Sequence, residues 1–333
     1  MQTLLTYIFL VLGFVFLVKG ADWFVGGSSA VARLLHVPSI IIGLTIVAFG
    51  TSAPELAVSL TAALSGSNDI AIGNVVGSNF FNLLMVVGVC ALIKPMQIQE
   101  NILKKEFPFS IICGIVLLIL SLNFGQGYTI GHIDGFILLA VFVLFVSMQI
   151  KSSLKAKKAS GHAIMVESPE VKAAELEDDT PDRMMPPFMS VLLIIVGLAL
   201  VVIGGDMVVD SATEIARSLG LSEAFIGLTV VAFGTSLPEL VTSIVASKKG
   251  ENELALGNVI GSNIFNILLI IGASAAITPM NVAFSSIIDL ILMTAVSIIT
   301  LVIAWRGKNI NRIEGGIMVA MYLTYVGYLL SQI

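Results

Sequence analysis

The chain has 333 residues, of which 57% are hydrophobic and only 12% charged, with a mean hydropathy of +1.01. That balance lies outside the range of soluble globular domains and inside that of polytopic membrane proteins. The 17 basic and 22 acidic residues leave a formal net charge of −5, and no nucleic-acid partner is expected.

Apolar stretches long enough to cross a ~30 Å hydrocarbon layer at about 20 residues each fall near residues 3–31, 39–65, 69–93, 103–122 and 129–150. They recur near 187–219, 223–247, 252–277, 283–305 and 312–332. The first is not read as a signal peptide, because it has no basic leading segment and no small-residue cleavage site. Between the fifth and sixth stretches, residues 151–187 are hydrophilic. They begin with Lys151, Lys155, Lys157 and Lys158 and end with Glu175, Glu177, Asp178, Asp179 and Asp182. This segment reads as a flexible tether, and its acids lack the spacing of an EF-hand loop. Cys90 and Cys113 fall in apolar spans and read as small buried hydrophobes.

Residues 13–96 reappear without a gap at 197–280, so that Gly13 matches Gly197, Asp22 Asp206, Glu55 Glu239 and Pro95 Pro279. Residues 43–96 and 227–280 share 31 identities in 54 positions, which marks an internal duplication. The expected fold is an all-α polytopic membrane protein of ten transmembrane helices, with a first repeat at 1–150, a linker at 151–187 and a second repeat at 188–333. Five helices per repeat is an odd number, so the second repeat enters from the opposite side and the repeats are inverted.

With the N-terminus outside, Arg33, Lys94, Lys104, Lys105, the basic part of the linker, Lys248, Lys249, Arg306, Lys308 and Arg312 all face the cytoplasm. Only Arg217 then falls in an external loop. Both termini are therefore expected outside and the linker inside, in the plasma (inner) membrane.

The chemistry lies in two duplicated motifs. Ala48-Phe49-Gly50-Thr51-Ser52-Ala53-Pro54-Glu55 recurs as Ala232-Phe233-Gly234-Thr235-Ser236-Leu237-Pro238-Glu239. Proline cannot donate to the helix ladder and clashes with the carbonyl four residues earlier, here Gly50 or Gly234, so the second and seventh helices are expected to break there. Such breaks survive at membrane depth where they line a cavity or an ion site, and carbonyls from about Ala48 and Ala232 onward are expected to be free ligands. Thr51, Ser52 and Glu55 share a helical face, as do their equivalents.

The next helix of each half carries Gly73-Asn74-Val75-Val76-Gly77-Ser78-Asn79-Phe80-Phe81-Asn82 and Gly257-Asn258-Val259-Ile260-Gly261-Ser262-Asn263-Ile264-Phe265-Asn266. The G-x-x-x-G pairs allow close helix approach, and Ser78 and Asn82 point one way. Asn79 and Asn263 lie off that face and read as helix-to-helix hydrogen bonds. Asp22 and Asp206 lie far from the breaks and read as structural, while Asp210 and Asp289 have no acidic equivalents.

Across the pseudo-twofold axis this assembles carboxylates, amides, hydroxyls and carbonyls, all of them oxygen ligands. With no Cys or His beside the motifs, soft metals are disfavoured, whereas such a cage suits Ca²⁺ and Na⁺. Glu55 and Glu239 match one Ca²⁺ or two Na⁺, and a bare carboxylate at mid-membrane costs at least about 2.5–3.5 kcal/mol on insertion scales.

The paired motifs G-T-S-x-P-E and G-N-V-x-G-S-N-x-F-N resemble the alpha repeats of the cation/calcium exchanger superfamily, in its prokaryotic sodium/calcium exchanger branch. The resemblance spans all ten helices. It implies two inverted five-helix repeats with broken helices 2 and 7. It also implies a ligand set of the Ala48 carbonyl, Thr51, Ser52, Glu55, Ser78 and Asn82 with the Ala232 carbonyl, Thr235, Ser236, Glu239, Ser262 and Asn266. Some members carry an aspartate where this chain has Asn266, which leaves two site carboxylates here. The linker is too short for the large regulatory domain of animal exchangers.

The expected function is calcium-for-sodium antiport by alternating access, with the long first and sixth helices as a sliding gate. Ca²⁺ and Na⁺ are the expected substrates, lipid is the other partner, no cofactor is expected, and the sequence leaves the oligomeric state open, a monomer being compatible with it. A calcium/proton antiporter and a passive cation channel are the alternatives. An intramembrane enzyme is disfavoured, since neither G-x-S-x-G nor H-E-x-x-H occurs and His36, His132 and His162 lie in or near loops.

Overall fold

The computed structural model describes residues 2–122, 128–166, 185–220 and 232–330. Helix α1 (Gln2–Leu35) precedes α2 (Ser39–Thr51) and α3 (Ala53–Leu64), which meet at a 50° bend, and then α4 (Asn68–Ile93). Strand β1 (Met96–Gln97) leads through a π-helical turn at Ile102–Glu106 into α5 (Phe107–Ser121), and β2 (Thr129–Ile130) leads into α6 (His132–Val166). The second half holds α7 (Pro187–Ser218), α8 (Ala232–Thr235), α9 (Leu237–Lys248), α10 (Asn252–Ile277), β3 (Met280–Asn281), α11 (Phe284–Gly307), β4 (Asn309–Ile310) and α12 (Arg312–Leu330).

Among the described residues α1, α4, α6, α7, α10 and α11 are long and apolar enough to cross a membrane, and the bent pair α2 and α3 makes a seventh span when taken as one. The chain is an integral membrane protein. The spans expected near 103–122 and 312–332 correspond to the shorter α5 and α12. The one expected near 223–247 starts outside the described residues and continues as α8 and α9.

The tether differs from expectation at its start. Helix α6 runs unbroken through Lys151 to Val166, because the Lys, Ala and Leu residues after Ile150 are strong helix formers and no proline interrupts them. The acidic run at 175–182 lies outside the described residues.

Burial separates a centre from a periphery. The apolar window of α10 is 94% buried, whereas those of α1 and α7 are 28% buried and turn Phe9, Phe14, Val18, Phe188 and Ile195 outward. Such continuous apolar exposure suits lipid and not water.

Helices α1 and α7 pack antiparallel along small residues at heptad spacing, with Gly13 against Gly204, Gly20 against Gly197 and Gly27 against Ser190. A Cβ on Gly197 would lie 2.5 Å from the Phe24 nitrogen, so only glycine permits this approach. At the centre α10 lies on α2 in the same way. A Cβ on Gly257 would sit 2.7 Å from the Ile40 carbonyl, and one on Gly261 2.7 Å from the Ala48 Cβ.

Two short antiparallel ladders join the halves at their edges. Met96 pairs with Ile310 between β1 and β4, and Ile130 pairs with Met280 between β2 and β3.

Candidate ion-binding site

The bends that build the site sit two residues before each proline. Helix α2 stays helical through Thr51, and the chain leaves helical geometry at Ser52 (φ −83°, ψ 7°), with Ser236 (φ −92°, ψ 5°) its equivalent. Pro54 and Pro238 then fall in the first turn of α3 and α9, where no N–H is needed. The break expected at Gly50 and Gly234 is thus displaced to the serines. Glu55 and Glu239 lie in the first turns that follow.

Both glutamates are 1% exposed, and each is held from the opposite half. The Ser52 hydroxyl donates to Glu239 Oε1 at 3.0 Å, and the Ser236 hydroxyl donates to Glu55 Oε1 at 3.0 Å. Ser262 adds a 3.3 Å bond to Glu239 Oε1, while Ser236 lies 3.1 Å from the Ser78 hydroxyl.

The amides are crossed in the same manner. Asn82 Nδ2 donates to Asn263 Oδ1 (3.1 Å) and Asn266 Nδ2 to Asn79 Oδ1 (3.0 Å). Asn79 and Asn263 in turn reach each other's backbone carbonyls at 3.5 Å, the interhelical role expected of them. Asn82 and Asn266 both stand on π-helical turns, Phe81–Val86 and Asn266–Ile271, a local widening that often accompanies functional sites.

This bonding leaves four buried oxygens with no hydrogen-bond donor: Glu55 Oε2, Glu239 Oε2, Asn82 Oδ1 and Asn266 Oδ1. A buried acceptor without a donor costs about 1–3 kcal/mol, more when charged. Among the described residues no ion pair reaches either glutamate, since those of Arg33, Lys104, Lys249 and Lys308 involve Glu251, Glu100 and Asp22. Four acceptors, two of them carboxylate oxygens, are the kind of donor set a hard cation takes.

Of the expected ligands, Thr51, Ser52, Glu55, Ser78 and Asn82 of the first half come together with Thr235, Ser236, Glu239, Ser262 and Asn266 of the second. The Ala48 carbonyl is not free, because it accepts the Ser52 N–H at 3.0 Å and is approached by the Thr51 hydroxyl at 3.4 Å. Closing that bond is what keeps α2 helical up to the bend. Ala232 opens α8, and its side chain is not among those described.

Asp22 bonds Lys249 at 2.8 Å away from the site, in keeping with a structural role. Asp206 and Asp210 lie exposed on α7, and Asp289 is partly buried on α11.

Two residues escaped the sequence reading although each stands in one copy of the second motif. Asn258 Nδ2 donates to Ser243 Oγ (3.0 Å) and to the Glu239 carbonyl (3.5 Å), while its Oδ1 accepts from Thr51 Oγ1 (2.9 Å). Asn74 repeats this with Ser59 Oγ (2.8 Å), the Glu55 carbonyl (3.3 Å) and Thr235 Oγ1 (3.4 Å). Their duplication one turn ahead of Ser78 and Ser262 was the available signal.

The sodium/calcium exchanger protein family matches residues 5–151 and 189–331. Inner membrane protein YrbG of Escherichia coli is 35% identical over 97% of both chains. Sodium/calcium exchanger MaX1 of Methanosarcina acetivorans is 34% identical over 96% of this chain and 97% of its own. Among solved structures, the sodium-calcium exchanger NCX_Mj superposes with a TM-score of 0.81 at 30% identity, covering 98% of this chain and 99% of that one.

Proposed function

The chain belongs to the sodium/calcium exchanger family, and we propose on that footing that it exchanges Ca²⁺ for Na⁺ across the membrane by alternating access. The observation that carries this reading is the set of four donorless oxygens from Glu55, Glu239, Asn82 and Asn266. The hydroxyls of Thr51, Ser52, Ser78, Thr235, Ser236 and Ser262 complete the ligand sphere, and the Ala232 carbonyl is the remaining oxygen of the expected set.

One Ca²⁺ or two Na⁺ neutralise the two carboxylates. The loaded site then passes an apolar barrier, while the empty site carries two uncompensated charges and does not. That difference makes exchange obligatory and the chain a transporter with no reaction to catalyse.

The architecture proposed for it is ten helices in two inverted repeats, 1–150 and 188–333, joined by a cytoplasmic linker at 151–187, with both termini outside the plasma (inner) membrane. The reciprocal bonds of Asn79 and Asn263, 184 residues apart, support a twofold relation between the repeats, and the antiparallel packing of the equivalent helices α1 and α7 supports the inversion. The glycine seam between α1 and α7 supports their role as the sliding gate, since backbones packed this closely move as one pair. The ligand sphere is filled from within one chain, so a monomer suffices.

The test is ⁴⁵Ca²⁺ uptake into vesicles containing the purified protein, with an outward Na⁺ gradient, an outward proton gradient or neither. Uptake driven by Na⁺ alone supports the reading. Uptake driven by protons alone makes it a calcium/proton antiporter, and uptake independent of both makes it a channel.

A further inference from the structure

We propose that Asn258 and Asn74 are positioning residues for sodium: each amide takes the hydroxyl proton of the threonine opposite and so turns that oxygen's lone pairs toward the ion. The inference deepens the antiport reading and rests on it, because it requires Thr51 and Thr235 to be ligands.

A hydroxyl binds a cation only through its lone pairs, so its single proton must be directed elsewhere. The orientation of the Asn258 amide is fixed by a partner that can only accept. Its Nδ2 faces the backbone carbonyl of Glu239 at 3.5 Å, together with Ser243 Oγ at 3.0 Å, so its Oδ1 must face Thr51. At 2.9 Å, Asn258 Oδ1 is nearer to the Thr51 hydroxyl than either carbonyl of its own helix, and the Glu239 carboxylate, which also interacts with that hydroxyl, is the group the ion itself occupies. Those two carbonyls, of Val47 (3.1 Å) and Ala48 (3.4 Å), are the bonds a threonine makes to its own helix.

Without the amide, the proton turns to those carbonyls or to the Glu239 carboxylate, and in either case the hydroxyl's lone pairs are no longer held toward the ion. Asn74 holds Thr235 by the same logic, with Nδ2 on the Glu55 carbonyl at 3.3 Å and Oδ1 receiving Thr235 at 3.4 Å. Each asparagine therefore sits on the backbone of one glutamate and aims a neutral ligand from the other half of the molecule.

The two ions depend on that ligand to different degrees. One Ca²⁺ or two Na⁺ fill the same cage, so two Na⁺ divide between them the oxygens that serve one Ca²⁺, and each neutral ligand makes up a larger part of its ion's coordination sphere for Na⁺ than for Ca²⁺. A defect in hydroxyl orientation therefore appears first as lost Na⁺ affinity.

Equilibrium ⁴⁵Ca²⁺ binding to the purified full-length chain, titrated with Na⁺ as competitor, reads both ions at once in Asn258→Leu, Thr51→Val and the double variant. The Na⁺ concentration that displaces half the Ca²⁺ should rise about 3- to 10-fold in Asn258→Leu, the worth of one hydrogen bond. The Ca²⁺ half-saturation should move less than about twofold, and in the Thr51→Val background Asn258→Leu should add nothing further.

Equal shifts for the two ions, or shifts that add in the double variant, assign Asn258 to packing and overturn the proposal. If Thr51→Val alone leaves both ions unchanged, the threonine is not a ligand, and the ligand set fails together with the proposal. Should Asn258→Leu not yield a monodisperse protein, the pair Asn74→Leu and Thr235→Val carries the same readout and decides it.

Discussion

Replacing Glu239 by glutamine isolates the charge at the site from its scaffolding. Glu239 Oε1 accepts from Ser52 at 3.0 Å and from Ser262 at 3.3 Å, and a glutamine carbonyl in its place accepts both. What changes is Oε2, the donorless oxygen, which becomes an amide nitrogen directed at the ion. Removing one member of a buried charged pairing costs about 3–5 kcal/mol, or roughly two to four orders of magnitude in Ca²⁺ affinity. Folding without ions should be nearly unaffected, since both hydroxyls keep an acceptor and a buried negative charge is lost.

Thermal unfolding with and without Ca²⁺ separates the two effects. At about 100 times its dissociation constant a ligand stabilises the native state by about 2.7 kcal/mol, so the parent should show a clear Ca²⁺-dependent rise in melting temperature. Glu239→Gln should melt where the ion-free parent melts and show no rise. A variant that binds Ca²⁺ within about threefold of the parent refutes the assignment of Glu239 as a ligand.

Glu55→Gln should behave the same way, because its carboxylate is held by Ser236 as Glu239 is by Ser52, and ⁴⁵Ca²⁺ exchange should fall below detection. Asn266→Asp places a third carboxylate in the cavity, overcompensating a single Ca²⁺ and inviting protons to compete; Ca²⁺ flux should depend on pH between about 6 and 8 more steeply than in the parent. Gly197→Ala forces a Cβ against the Phe24 backbone, an overpacking of about 1–3 kcal/mol, and should slow exchange while leaving equilibrium Ca²⁺ binding in place. Deleting residues 167–182 should leave vesicle uptake largely intact, since a linker contributes reach and not ligands.

The sequence made the site legible because it states each ligand twice. Composition revealed the membrane setting, and the offset between Glu55 and Glu239 picked out two carboxylates that no basic residue could pair. Periodicity put Ser78 and Asn82 on one face and separated Asn79 from them, and the crossed amide bonds follow that division.

The remainder depends on geometry that no residue pattern encodes. Proline marks a bend without fixing its place, because it is tolerated in a first helical turn, so the bend moved from Gly50 to Ser52 and the Ala48 carbonyl stayed bonded. The π-helical turns under Asn82 and Asn266 carry ordinary helix-forming residues and leave no local signal. Asn74 and Asn258 were passed over because an amide one turn from the ligand face gains meaning only when the opposite threonine is brought to it.

The site cannot be divided into two half-sites. Ser52 of the first half holds Glu239 of the second, Ser236 of the second holds Glu55 of the first, and Asn82 and Asn266 are each anchored on the other half's asparagine. Any displacement of one half against the other therefore disturbs the supports of both carboxylates together. An ion bound between them, by its differential affinity for the two arrangements, biases the position of the halves as a unit. On the proposed antiport reading, the duplication supplies more than two similar ligand sets: crossing them would couple ion occupancy to the relative position of the repeats, which is the linkage that alternating access requires.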